Sequence, residues 1–102
     1  MDKKEALVLV RQYASIVARE MNPDKIVLYG SHAEGTATEE SDIDIAVIFD
    51  NFNGDWFSAY TRLAKLRRSV SLYIEPVLLD SAKDRSGFAG EVVKTGEVIY
   101  SQ

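Results

Sequence analysis

At 102 residues the chain has room for one small domain, expected to span 1–102, with a modest core. A surplus of acidic over basic side chains gives a net charge of −4, which argues against an extended nucleic-acid track, since that needs clustered Lys and Arg. Cysteine is absent, which excludes disulfides and thiolate metal sites; no apolar run nears the roughly 18 residues of a membrane span, and the charged opening Met1-Asp2-Lys3-Lys4-Glu5 is unlike a signal peptide, so no membrane partner and a cytoplasmic location are expected.

Residues 2–21 read as a helix. Asp2 can cap it, with Glu5 at the capping-box position, and Leu7, Val10, Ala14, Val17, Ala18 and Met21 recur at helical spacing as a core face. Asn22-Pro23 ends it. Residues 25–29 form a short apolar strand that delivers Gly30. The stretch from Gly30 to Ser41 is rich in Gly, Thr, Ser and Glu and reads as a loop or short helical turn. Ser31 can cap that turn, with Glu34 three residues on, and its exposed backbone N–H groups favour phosphate.

Residues 43–49 form a second apolar strand. Side chains alternate faces along a strand, so Asp42 and Asp44 point the same way, with Ile43, Ile45, Val47 and Phe49 opposite. Ala46 and Ile48 continue the aspartate face and are also apolar, as in a strand covered on both sides. Two like charges leading into a buried strand repel each other, and magnesium, a hard cation held by one or two carboxylates plus phosphates and water, would relieve that. Taken alone, Asp42 and Asp44 are better read as a turn aspartate and a solvated strand start, since turn aspartates are common.

A helix follows at 56–69, capped by Asp55. Phe57, Tyr60, Leu63, Ala64 and Leu66 are expected on its core side, and Arg62, Lys65, Arg67 and Arg68 form a basic cluster read as a solvated surface. Residues 72–79 contain a third strand. Glu75 is a carboxylate inside its apolar run, costly unless paired or metal-bound, and Pro76 places the strand at a sheet edge or a bulge. A helix at 87–95 with Phe88, Val92 and Val93 inward, closed by Gly96, leads to a last strand at 98–100. This alternation predicts an α/β (α+β) fold, a small mixed β-sheet packed with helices.

Gly30-Ser31, ten residues, then Asp42-Ile43-Asp44 resembles the signature of the DNA polymerase β-like nucleotidyltransferase superfamily. From about Pro23 to Tyr100 the chain is similar to its minimal nucleotidyltransferase branch, whose members are often paired with HEPN-domain toxins. The resemblance implies a polymerase β-like palm and magnesium-dependent transfer of AMP from ATP to a hydroxyl of a partner protein. It implies that Asp42, Asp44 and Glu75 are catalytic and hold two magnesium ions, and that Gly30, Ser31 and Ser41 bind the nucleotide. The partner it implies is a HEPN-domain toxin silenced by the added nucleotide, in a homo- or hetero-oligomer. An antitoxin acting by binding alone, or transfer to a small molecule, are the alternatives. Two positions depart from the pattern: Glu34 stands where a basic residue is common, and so does His32.

Overall fold

The computed structural model describes residues 1–102. Ten short elements build one four-stranded sheet with helices on both faces. Helix α1 (Lys3–Met21) leads to β1 (Lys25–Tyr29), a single turn of helix α2 (Ser31–Glu34), β2 (Ile43–Phe49) and α3 (Trp56–Leu66). A 3₁₀ turn (Arg67–Ser69), β3 (Ile74–Asp80), a second 3₁₀ turn (Ser81–Lys83), α4 (Phe88–Thr95) and β4 (Glu97–Ser101) complete the chain. The strand order is β3-β2-β1-β4. β1 runs antiparallel to both β2 and β4, and β2 and β3 are parallel, with α3 as the crossover that a parallel pair requires. The expected mixed sheet packed with helices is therefore present.

Each start and stop has a local cause. Asp2 caps α1 by accepting a bond from the Glu5 N–H at 2.8 Å, and Asn22 closes it in the left-handed region at φ 52°. β2 is buried on both faces, as its continuous apolar run requires. Ile43, Ile45 and Val47 join α1 and Leu63 of α3 in the main core, while Ala46 and Ile48 join Val27 and Val92 of α4 in a smaller one. Pro76 falls on β3, which is indeed an edge strand. Gly96 closes α4 for a different reason from the one expected. Its φ of −86° is ordinary, but an added Cβ would lie 2.6 Å from the Leu28 carbonyl oxygen and 2.7 Å from Val27 Cγ1, so only glycine lets α4 turn into β4 this close to β1.

Two helix faces differ from expectation. In α1 the buried stripe is Ala6, Val10, Tyr13, Ala14 and Val17; Leu7 and Met21 pack at its edge. Tyr13 belongs to the core because its hydroxyl donates to the Leu63 carbonyl at 2.8 Å, which satisfies a polar atom that burial would otherwise strand. Burial pushes the Tyr13 phenol up from its ordinary value, with Arg67 acting in the opposite sense. In α3 the inward residues are Leu63, with Ala59 and Leu66 packed against it, whereas Phe57 is 75% exposed and Tyr60 48%. At 3.6 residues per turn, Phe57 and Tyr60 lie on the side away from Ala59 and Leu66, so both cannot face one sheet.

Candidate active site

The polar end of the sheet is assembled by strand register. Tyr29 is paired with Asp44, and Asp44 with Glu75, so three strands place these residues in one row. Neighbouring strands are about 4.8 Å apart, so the two carboxylates of the row are close without touching. Asp42 stands just before β2 begins, exposed, one alternation step from Asp44. Gly30 adjoins the row from the end of β1. Its φ of 75° favours glycine, and an added Cβ would collide with Asp44 Oδ2. The backbone at Gly30 and the Asp44 carboxylate are thus in close approach by construction.

The electrostatics follow from that placement. Partial burial pushes the Asp44 carboxyl above its ordinary value, and the neighbouring charges of Asp42 and Glu75 push it further; His32 works in the opposite sense. The Tyr29 phenol is raised by burial and by the two acids of its own row, Asp44 and Glu75. Phe88 of α4 packs edge-on against Tyr29 with ring centroids 5.7 Å apart, which closes one side of the row.

The remaining expected site residues are placed as follows. Ser31 is the first residue of α2 rather than its cap; Gly30 takes the cap position and no side chain caps the turn. The expected capping box is therefore absent, because a glycine with positive φ already sets the entry of the chain. The N–H groups of Ala33 and Glu34 bond to the Gly30 carbonyl at 3.1 and 3.0 Å, so those of Ser31 and His32 lie outside the turn's own bonds. Ser41 closes the other end of the loop: its Oγ accepts from the Thr38 N–H at 2.8 Å. Glu34 is exposed. Glu75 leaves the row towards Arg67, whose Nη1 is 3.2 Å from its Oε1 and 2.8 Å from the Ile74 carbonyl. Arg67 is thus half-buried and engaged, where a solvated position was expected. The single helix expected over 56–69 tightens to a 3₁₀ turn from Arg67 to Ser69, at the point where that side chain reaches β3.

No three carboxylate or imidazole groups converge tightly enough to enclose an ion on their own. The donor set nevertheless fits magnesium: hard oxygens of Asp42 and Asp44 at the polar end of the sheet, where one or two carboxylates serve and phosphates would complete the shell. A carboxyl pushed up by burial and by neighbouring acids is one that a bound cation would relieve, which fits the same group.

His32 is the residue whose placement the sequence did not reveal. It is 1% exposed, and neither ring nitrogen has a hydrogen-bond partner. The sequence marked it only as standing where a basic residue is common; its burial comes from the way α2 packs against β1 and β2.

Comparison with known proteins identifies the family and the fold. Residues 11–102 match the family described as "Polymerase beta, Nucleotidyltransferase". The chain belongs to that family. Over 70 residues it is 39% identical to "Putative protein adenylyltransferase MJ1379" of Methanocaldococcus jannaschii, covering 69% of this chain and 63% of that protein, so the match spans under two thirds of the relative's length. The fold is shared with a crystal structure described as a "putative nucleotidyltransferase" from Sulfolobus solfataricus, with a TM-score of 0.72 at 20% identity over 98% of this chain and 84% of that one. It is also similar, with a TM-score of 0.64 and 28% identity over 90% of this chain and 73% of the other, to a chain in a structure of a toxin–antitoxin with AMP-PNP. No helix is long and apolar enough to cross a membrane.

Proposed function

We propose that this protein transfers AMP from ATP to a hydroxyl of a partner protein, releasing pyrophosphate, and that the partner is a HEPN-domain toxin neutralised by the modification. The observation that carries the reading is the row of Asp44 and Glu75 in register beside the glycine turn at Gly30. The protein adenylyltransferase name of the M. jannaschii relative and the AMP-PNP bound in the toxin–antitoxin structure support ATP as donor and a protein as acceptor. The acceptor hydroxyl oxygen forms a bond to the α-phosphorus as the bond to the pyrophosphate oxygen breaks.

Each residue has a task in this reading. Asp42 and Asp44 hold magnesium, two ions in all, with Glu75 joining them from β3. Bound magnesium neutralises the phosphates and stabilises charge on the attacking and leaving oxygens. Glu75, at the exposed edge of the row, takes the proton of the acceptor hydroxyl. The N–H groups of Ser31 and His32 and the Ser31 hydroxyl face the leaving phosphates, with the Gly30 backbone in close approach and Ser41 fixing the far end of the loop. Catalysis of this kind is chiefly positioning and charge neutralisation.

A binding-only antitoxin is favoured by one observation, the grip of Arg67 on Glu75. Incubation with labelled ATP, magnesium and the product of a neighbouring gene separates the two readings. Label and added nucleotide mass on the partner, lost with Asp44→Asn, support transfer. An unmodified partner inhibited at stoichiometric ratio favours binding alone. Magnesium and ATP together should raise the melting temperature and EDTA should cancel the rise; equal stabilisation by ATP without a divalent ion sinks the metal-dependent reading.

A further inference from the structure

We propose that His32 is a positioning residue for Asp44, donating one ring N–H to the Asp44 carboxylate when nucleotide and magnesium are bound. The inference rests on the function proposed above and adds a residue to its site.

Three observations carry it. First, the imidazole is almost fully enclosed, and both Nδ1 and Nε2 lack a partner. A buried polar group without a partner is costly, and native folds keep few of them. Its persistence here points to a partner that belongs to another state of the protein. Second, α2, which carries His32, packs against β2, which carries Asp44. Third, Asp44 Oδ2 leans towards Gly30, two residues before His32 in the same turn. The carboxylate is thus beside the turn that carries the imidazole. A carboxylate that holds a cation needs its second oxygen fixed, and partners of this kind commonly change metal affinity by about 10–100-fold.

His32 is the only histidine in the chain, so its ring can be observed without assignment ambiguity. In the nucleotide-free protein the imidazole nitrogens should show the shifts of unbonded positions. Adding magnesium with the non-hydrolysable analogue AMP-PNP should move one ring nitrogen to a hydrogen-bonded shift and slow exchange of its proton. The change should be absent in Asp44→Asn. His32→Leu removes the orphaned nitrogens; its nucleotide-free form should melt no lower than the wild type, while its affinity for magnesium AMP-PNP falls by about 10–100-fold. His32→Asn, which keeps a donor, should restore part of that affinity.

Unchanged affinity in His32→Leu, or an imidazole signal indifferent to the ligand, overturns the inference and leaves the proposed function standing. A marked drop in the melting temperature of nucleotide-free His32→Leu also overturns it, because the ring would then be ordinary core. If the wild-type protein does not respond to magnesium AMP-PNP at all, the proposed function fails first and the inference with it.

Discussion

The two parallel strands β2 and β3 carry carboxylates at both ends, and the fold treats the two ends in opposite ways. At the far end, Asp80 lies opposite Phe49 and accepts three backbone N–H bonds, from Asn51 at 3.0 Å, Phe52 at 2.9 Å and Ala82 at 2.9 Å. Desolvation works against its ionisation, but those donors and Lys83 prevail and hold the carboxyl below its ordinary value. At the near end, Asp44 lies opposite Glu75, beside Asp42, and burial and like charge push it up. One end supplies the anion with donors; the other surrounds it with acids. A chain selected for stability alone would treat both ends like the first, and the difference is what the proposed binding role of the near end accounts for.

The largest expected effect breaks this contrast directly. Asp44→Asn and Asp42→Asn should each lower nucleotidyl transfer by more than about 100-fold, since even outer partners of metal sites cost 10–100-fold. The metal-free variants should be no less stable than wild type, with a gain of up to about 1 kcal/mol, limited by solvent screening at this half-exposed site. Radiolabel transfer and chemical denaturation read the two quantities. A large loss of stability in the metal-free variants means that the aspartates are structural.

Gly30→Ala comes next. It forces a side chain into a positive-φ position and against Asp44 Oδ2. A cost of roughly 1–3 kcal/mol is expected from the backbone alone, together with loss of transfer as Asp44 is displaced. Gly96→Ala is the matched control: its Cβ would meet the Leu28 and Val92 carbonyls and Val27 Cγ1 but no carboxylate, so it should lower stability without changing transfer per folded molecule. Equal behaviour of the two variants would separate Gly30 from the site.

The pH dependence sharpens the same contrast. A carboxyl with a raised folded value adds stability that is full below its ordinary value of 3.8 and is lost as pH rises through the folded value. A carboxyl with a lowered folded value adds stability above 3.8, lost as pH falls through the folded value. Asp44→Asn should therefore match wild type in acid and become the more stable of the two as pH rises to neutral. Asp80→Asn should match wild type in strong acid and become the less stable as pH rises. Melting curves from pH 2.5 to 7, on the order of one pH unit apart, test the opposed signs; two parallel traces would remove the distinction between the ends.

Much of this was legible in the sequence, because period-two alternation and turn residues are local signals. The two-sided burial of β2 and the edge position implied by Pro76 both follow from neighbours in sequence. What was not legible depends on distant residues meeting. Tyr13 reads as polar until Leu63, fifty positions away, offers its carbonyl. Arg67 reads as one of four solvated cations until β3 brings Ile74 and Glu75 beside it. The orientation of α3 followed the same rule, since Phe57 and Tyr60 are apolar enough for a core and only the sheet decides which stripe faces it.

Arg67 yields the smallest predicted effect, and the most discriminating for the third carboxylate. Its bond to Glu75 is partly exposed, at 3.2 Å with the acid side chain 52% accessible, so the ion pair itself contributes only about 0–1 kcal/mol. Its bond to the Ile74 carbonyl covers the open edge of β3, a position where an unpaired group would otherwise invite another strand. Arg67→Met keeps the apolar stem in place and removes both bonds. If Arg67 holds Glu75 back from the row, the variant should reach half-maximal magnesium AMP-PNP stabilisation at a concentration a few-fold lower than wild type, because the acid no longer has a competing cation. If Arg67 instead fixes Glu75 in its working position, the concentration should rise. An unchanged concentration would take Glu75 out of the cation site and leave Asp42 and Asp44 to hold it, since a carboxylate that contributes to binding cannot lose its ion-pair partner without altering that binding.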